Sequence, residues 1–334
     1  MTLPASYKAM VLEKAGDPLV MKNLPTARPG PHEVLVKIIA CGVCRTDLHI
    51  IDGELTGAKY PLVAGHEIIG TVVEKGSDTG TLQEGELVGI PWLGFTCGTC
   101  KYCKNGKENL CMNAKFTGYT VDGGFAEYTI AQSRFCFRLD RQFANAASAP
   151  LLCAGLIGFR AYRMIPGDCV SIGLYGFGAA AHILAQIAIA QGKKVYAFTR
   201  NGDKSSQDFA KSLGVHWAGN STDPAPDSLD AAIIFASAGE LVPKALSDVD
   251  KGGIVICGGI HMSDIPAFPY KLLWGERTIR SVANLTREDG DKFFSVLAGI
   301  PVKTTVRLYK LADANEALND LRSGSIHGAA VLIP

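Results

Sequence analysis

The stretch Cys169-Val-Ser-Ile-Gly-Leu-Tyr175-Gly-Phe-Gly178, continued by the apolar run Ala179 to Gln191 and then by Lys194-Val-Tyr-Ala-Phe-Thr199, decides the architecture of half of this chain. A β-type run, a glycine-rich turn, a helical pattern and a second β-type run form one strand–helix–strand unit. Further apolar runs follow at Ala231-Ala-Ile-Ile-Phe-Ala236, Gly253-Ile-Val-Ile-Cys-Gly258 and Thr278-Ile-Arg-Ser-Val282. This alternation predicts an α/β fold with a parallel, doubly wound sheet from about Ala154 to Val282. Gly173-Leu-Tyr175-Gly176-Phe177-Gly178 reads as a G-x-G-x-x-G-like string with Tyr175 where the second glycine usually stands. In that context helix-terminal amides meet a pyrophosphate, which makes Gly173, Gly176, Phe177 and Gly178 candidate cofactor contacts. The alternative is a glycine-rich turn that binds nothing.

The end of the next strand bears on which nucleotide binds. An NAD site uses a carboxylate there for the adenosine ribose. This strand ends Phe198-Thr199-Arg200, with Lys204 close behind, and a hydroxyl beside fixed positive charge suits a 2′-phosphate. Thr199, Arg200 and Lys204 therefore favour NADP, with NAD retained as an option because Asp203 is near enough in sequence to reach a ribose hydroxyl. Arg200 stacked on adenine or merely solvated is the competing view.

Upstream, the pattern differs. From Tyr7 to about Ala147 short β-type runs such as Val34-Leu-Val-Lys-Ile-Ile39, Ile68-Ile-Gly-Thr-Val-Val-Glu74 and Leu87-Val-Gly-Ile90 are broken by Gly and Pro, which predicts an irregular β-barrel-like domain. The expected division is a metal-binding domain over 1–153, a nucleotide domain over 154–282 and a tail over 283–334. The tail is expected to form a helix over Ala312 to Leu321 and a strand over Ala329 to Ile333, and to rejoin the first domain. With 334 residues and 47% hydrophobic content both cores can be filled. Lys and Arg number 33 against 32 Asp and Glu, so no whole-chain field recruits nucleic acid or an anionic membrane. No apolar run reaches the roughly 20 residues of a bilayer span, and Met1 to Tyr7 lacks the pattern of a secretory leader. A cytoplasmic protein is expected, and its ten cysteines are then metal ligands, catalytic groups or buried thiols.

Cys97, Cys100, Cys103 and Cys111 are separated by two, two and seven residues, in a stretch rich in turn formers and carrying Lys101, Lys104 and Lys107. C-x₂-C steps let sulfurs of a tight turn face one metal, which predicts a structural zinc lobe; disulfides or scattered core thiols are the alternatives. A second set is dispersed. It comprises Cys44 in Cys44-Arg-Thr-Asp-Leu-His49, His66 in Gly65-His-Glu67, and Cys153 in Pro150-Leu-Leu-Cys153-Ala-Gly155. A Cys/His/Cys set leaves one tetrahedral position open, as catalytic zinc requires. Taken singly, Cys153 reads equally as a core thiol and His66 as a packing residue. Cys41, three residues before Cys44, reads as a buried strand thiol in preference to half of a redox pair.

In this order, Gly42-Val-Cys-Arg-Thr-Asp47, Gly65-His-Glu67, the four-cysteine lobe, Gly123-Gly-Phe-Ala-Glu-Tyr128 and Leu151-Leu-Cys-Ala-Gly155 resemble the zinc-dependent alcohol dehydrogenases of the medium-chain dehydrogenase/reductase superfamily, across essentially the whole chain. The resemblance implies a GroES-like catalytic domain with a Rossmann domain, and two zinc ions per subunit. By it, Cys44, His66 and Cys153 hold catalytic zinc, Glu67 ligates transiently, and Asp47 orients His66 from behind. Thr46 and His49 form a proton relay, Arg45 binds the cofactor pyrophosphate, and Trp92 with Thr46 walls the substrate pocket. His49 as a bystander surface histidine and Trp92 as a packing residue are the weaker alternatives. The implied substrates are small primary alcohols and aldehydes. An NADPH-dependent reductase of bulkier, cinnamyl-like aldehydes is the second reading, and a catalytically silent nucleotide-binding protein a remote third. A homo-oligomer, tetramer or dimer, is implied, with the run from Ile254 to Ile279 expected at the pairing edge. Relatives also carry an arginine where this chain reads Gly328-Ala329-Ala330, so one phosphate contact is missing.

Overall fold

The computed structural model describes residues 3–326 and 328–334. Its contacts divide the chain into two compact units, Met1–Cys153 with Asn284–Ala298 and Lys303–Pro334, and Ala154–Ala283 with Gly299–Val302. No helix among the described residues is long and apolar enough to cross a membrane.

The second unit is built on a six-stranded sheet whose neighbouring strands all run parallel. In spatial order the strands are Trp217–Asn220, Lys194–Thr199, Ser171–Tyr175, Leu229–Ile234, Val249–Cys257 and Thr278–Ser281. Side chains alternate along each strand. Ile172 and Leu174 pack with Ala181, Leu184 and Ala185 of the helix Ala179–Ala190, whereas Tyr175, Ala232 and Ile234 pack with Val242, Ala245 and Leu246 of the helix Leu241–Asp248. Helices thus cover both faces, which explains why the strands read as unbroken apolar runs. The first strand sits centrally, with its successor on one side and Leu229–Ile234 on the other. That reversal of strand order is where doubly wound sheets bind ligands, at the carboxyl ends of the strands.

One expectation is corrected in part here. Ile254–Cys257 lies in a strand paired on both sides and is buried; of the run from Ile254 to Ile279 only the end, in Thr278–Ser281, reaches a sheet edge, the opposite edge being Trp217–Asn220.

The first unit is mostly antiparallel. Its seven-stranded sheet runs Phe137–Arg138, Leu87–Ile90, Glu67–Lys75, Glu33–Val43, Ala329–Ile333 and Val306–Lys310, with Tyr128–Gln132 also paired to Glu33–Val43. A smaller sheet joins Val20–Pro25, Ser6–Leu12 and Leu62–Val63. Glu33–Val43 is the hub, and register shifts at Leu35/Val36 and Ile38/Ala40 bend it against Glu67–Lys75. The terminal strand has the expected bounds, Ala329–Ile333. The preceding helix is Ala314–Ser323, slightly later than expected, because a 3₁₀ turn over Leu311–Asp313 takes up its first residues.

Candidate active site

Every candidate ligand of the dispersed set stands where a regular element begins or ends. Glu33–Val43 ends one residue before Cys44, which caps the helix Arg45–Ile51; the Thr46 amide donates to Cys44 Sγ at 3.4 Å. Asp47, in the first turn, is fully buried and accepts from the Cys44 amide at 2.9 Å, the Gly65 amide at 3.2 Å and His66 Nδ1 at 3.2 Å. A buried carboxylate is costly unless so satisfied. Its reward is positional: one side chain ties the start of the helix to the start of the strand Glu67–Lys75 and holds Nδ1 of His66 in its protonated form. Nε2 is left with its lone pair, 3.1 Å from Cys44 Sγ.

Glu67, 2% exposed, pairs across the sheet with Gly42. A Cβ at Gly42 would lie 1.9 Å from Glu67 Oε2, so only glycine leaves room for that carboxylate. Cys153 closes the set at the end of the 3₁₀ helix Ala146–Leu152. One ligand atom from each of Cys44, His66, Glu67 and Cys153 lies within 4.8 Å of every other. The charges agree with a cation site. Burial pushes Glu67 well up, and Cys153, sharing a hydrogen with Cys44, is pushed up as Cys44 is held well down. Burial also pushes His66 down, but the Cys44 and Asp47 anions outweigh it and hold the imidazole well above its usual value. Crowded donors that favour positive charge at Nε2 fit a divalent metal with three protein ligands and a carboxylate behind them.

The lobe cysteines also converge. Sγ separations are 3.5 Å for Cys97 to Cys111, 3.6 Å for Cys100 to Cys103 and 3.9 Å for Cys97 to Cys103. Zinc–sulfur bonds of about 2.3 Å in a tetrahedron put sulfurs roughly 3.8 Å apart. All ten cysteines are unbridged, which disposes of the disulfide alternative. Amides supply part of the field: donors from Thr99 and Cys100 hold the Cys97 thiol down at about 6. Sequence patterning missed how this lobe is anchored. Glu108, between the third and fourth cysteines and 5% exposed, accepts from the Arg287 amide at 3.1 Å and from its Nε at 3.3 Å, while the guanidinium lies 5.4 Å from the Phe135 ring.

Around the dispersed set, Thr46 is buried and His49 lies part-exposed a turn further along the helix, joined to Glu54. Arg45 is exposed at the first helical position. Trp92 meets the edge of the His66 ring at 5.0 Å, and its own faces stack on Phe116 at 5.2 Å and Tyr119 at 5.5 Å. Trp92 therefore stands against a ligand residue, backed by two aromatics that sequence reading did not single out. Only their order in Phe116-Thr-Gly-Tyr119, just past the lobe, hinted at them.

In the nucleotide unit the glycine string shifts by three residues. Gly173 lies mid-strand, hydrogen-bonded between Lys194–Thr199 and Leu229–Ile234, and a Cβ there would be 2.7 Å from Leu229 Cδ1. It is a packing glycine, and its assignment as a cofactor contact is withdrawn. Tyr175 is the last strand residue, fully buried, stacked on Phe198 at 4.1 Å and donating to Asp248. It does not occupy the second-glycine position. The turn itself is Gly176-Phe177-Gly178, and the third place falls on Ala181, giving G-x-G-x-x-A. Gly176 has φ +89° and its Cβ would meet Ala236 N at 2.8 Å; Gly178 caps the helix; Ala181 is fully buried against the sheet.

At the neighbouring strand end Thr199 is 2% exposed, bonded to the Gly219 carbonyl and accepting from Gln207 Nε2 at 3.1 Å. Its hydroxyl is consumed inside the unit, so the expectation of a free hydroxyl is corrected. Asp203 caps the next helix through the Ser206 amide at 3.0 Å and hydroxyl at 2.7 Å. Arg200 and Lys204 are exposed beside it.

Residues 30–141 match the family described as the alcohol dehydrogenase GroES-like domain. The chain is 44% identical over 325 residues, 95% of its length and 93% of the relative's, to a probable alcohol dehydrogenase, AdhA, of Mycobacterium tuberculosis (strain CDC 1551 / Oshkosh). It is 33% identical over 337 residues to an alcohol dehydrogenase of Moraxella sp. (strain TAE123), covering 97% of this chain and 98% of that one. Among solved structures, acetophenone reductase from Geotrichum candidum NBRC 4597 in complex with NAD superimposes with a TM-score of 0.86 at 31% identity, over 100% of this chain and 99% of that one. With donor sets for two metals, a GroES-like domain and a doubly wound sheet, the chain belongs to the zinc alcohol dehydrogenases of the medium-chain dehydrogenase/reductase superfamily.

Proposed function

We propose that the protein interconverts small primary alcohols and their aldehydes with NADP favoured over NAD, holding one zinc at Cys44, His66 and Cys153 and a second in the four-cysteine lobe. The observation that carries this is the convergence of two thiols, an imidazole nitrogen and a carboxylate beside the buried hydroxyl of Thr46. Zinc held by Cys44, His66 and Cys153 would supply Lewis acidity toward an alcohol or carbonyl oxygen, and a bound nicotinamide would supply the hydride chemistry. The protein does the rest. Asp47 fixes the ligating tautomer of His66, Glu67 stands ready behind the ligands, and Trp92 limits the space beside them. Thr46 would receive the substrate's hydroxyl proton while giving up its own toward His49, which returns a proton to solvent. Arg45, Gly176, Phe177 and Gly178 are assigned to the pyrophosphate. Metal analysis of the purified protein, combined with initial rates across straight-chain and aryl substrates, tests the reading: one zinc per chain in fully active enzyme, or preference for cinnamyl-like or acetophenone-like carbonyls, would count against it. A cytoplasmic setting suits a protein with ten unbridged thiols, six of them in the two candidate metal sites.

Cofactor preference should rest on Arg200. Arg200→Asp supplies the carboxylate of an NAD site and repels a 2′-phosphate, so attraction and repulsion change together. Loss of a charge-assisted contact of about 1.5–3 kcal/mol raises KM for NADP roughly ten- to hundredfold. The saturated rate and zinc content should be unaltered. The Geotrichum candidum relative was solved with NAD. If the unaltered enzyme already prefers NAD, Arg200 packs on adenine, and since Thr199 and Asp203 are engaged internally, a backbone group must meet the ribose.

We also propose a homo-oligomer, tetramer or dimer, paired through Thr278–Ser281. That edge follows a segment in which Tyr270 and Trp274 are 68% and 66% exposed. Symmetric pairing hides both the open edge and these rings. Light scattering should give a multiple of 35.5 kDa at micromolar concentration; a monomer contradicts it.

A further inference from the structure

Glu54 holds the imidazole of His49 through a device made of backbone as well as side chain. The helix Arg45–Ile51 is closed by Asp52, whose amide donates to the Leu48 carbonyl at 2.8 Å, and the chain reverses at Gly53, φ +75°. A Cβ at Gly53 would lie 2.9 Å from the Ala15 methyl, so the reversal is reserved for glycine by space as well as by backbone angle. The reversal returns the next residue onto the helix: the Glu54 amide donates to the His49 carbonyl at 2.9 Å, and the Glu54 carboxylate accepts from His49 Nδ1. Main chain and side chain of one residue thus grip the same histidine. His49 is 18% exposed and Glu54 56%, so the pair spans the step from interior to solvent.

An exposed ion pair formed by two flexible side chains contributes little. Here the carboxylate is delivered by a turn whose backbone is already bonded to its partner, which removes much of the ordering cost. A hydrogen bond at Nδ1 decides which ring nitrogen carries the proton. We infer that Glu54 is a positioning residue for proton release: it keeps the hydrogen on Nδ1 of His49, leaves Nε2 as the basic nitrogen, and balances the imidazolium formed in transit. This rests on the relay reading above. In alcohol oxidation Thr46 receives the substrate hydroxyl proton as it gives up its own, and the proton so displaced is delivered to His49 Nε2. The imidazolium is then paired with the Glu54 carboxylate, and the proton passes from Nε2 to a buffer base, restoring the starting tautomer. No electrons move in this step.

The test compares the zinc-loaded full-length enzyme with Glu54→Ala, Glu54→Gln, His49→Gln and the His49→Gln/Glu54→Ala pair, in dilute and in concentrated buffer. Glu54→Ala should lower alcohol-oxidation turnover roughly tenfold in dilute buffer, less than the 10²–10⁴ for losing an acid–base group outright. KM for alcohol and cofactor should not move, and concentrated buffer should restore the rate. Glu54→Gln, whose amide oxygen still accepts from Nδ1, should recover part of the loss, and the double variant should be no slower than His49→Gln alone. If His49→Gln is slow and buffer-rescued while Glu54→Ala matches the unaltered enzyme, the role of Glu54 is wrong and the relay stands. A loss in Glu54→Ala that buffer does not restore also overturns it, by marking a structural effect. If neither variant depends on buffer, the His49 relay falls and this inference with it.

Discussion

Replacing Cys153 with alanine is expected to abolish turnover while leaving a folded protein that retains one zinc per chain. Cys153 contributes a thiol to the Cys44, His66 and Glu67 set but lies at the end of the 3₁₀ helix Ala146–Leu152, outside any sheet, so its loss removes a ligand without removing a core side chain. Catalytic zinc is held by three protein ligands with a fourth position open, and Cys44 with His66 alone are one ligand short. A fall of at least about 10³-fold is the scale for losing a preorganised electrostatic contact to the reacting oxygen. Cys100→Ala should fail differently. Its sulfur lies among the three others of the lobe, and structural zinc binding is itself folding free energy, so this variant should lose zinc and unfold at lower temperature. Elemental analysis alongside thermal melts separates the two. If Cys153→Ala keeps two zinc ions and full rate, the assignment of the catalytic metal to this cluster is wrong.

That contrast depends on how much of each site can be read from sequence. The lobe is local: four sulfurs within one loop must converge if they bind metal at all, and spacing alone carries the message. The dispersed set is legible only as residues, because what brings His66 to Cys44 is the antiparallel pairing of Glu33–Val43 with Glu67–Lys75 and the carboxylate of Asp47 bridging them. Gly42 shows the limit, since its need to be glycine appears only once Glu67 is known to lie opposite. The nucleotide turn was misaligned by three residues for a similar reason. Gly173 and Gly176 can each open such a string, the first only with Tyr175 in the second place, and the deciding fact is that the strand runs on through Tyr175, whose ring stacks on Phe198. Sheet order was likewise illegible: apolarity marks Ile254–Cys257 as strand, yet a strand buried on both faces and paired on both edges reads the same as one at a protected edge. Phe116 and Tyr119 carry no motif, and their role follows from stacking on Trp92 alone.

Thr46→Ala should lower turnover by 10² or more with little change in cofactor affinity, the lower end of what an acid–base group contributes. Thr46 lies one residue from the exposed Arg45 and three from His49 on the same short helix, so a single turn of backbone carries the residues proposed for proton acceptance, pyrophosphate binding and proton exit. Thr46 is buried, its amide donates to Cys44 Sγ at 3.4 Å, and its hydroxyl also hydrogen-bonds that sulfur, so the side chain is oriented beside the ligand. Removing the hydroxyl therefore deletes the proposed proton path and one hydrogen bond to Cys44, while the amide contact to Cys44 Sγ stays. Thr46→Ser, which keeps the hydroxyl and loses only the methyl, should restore most of the rate and widen acceptance of branched alcohols, because the methyl is what narrows the space beside the metal ligands. A steric or folding role of the methyl predicts no such rescue, with Ala and Ser equally impaired. Near-unaltered turnover in Thr46→Ala would take this residue out of the mechanism and leave the route of the substrate proton to be sought through ordered water.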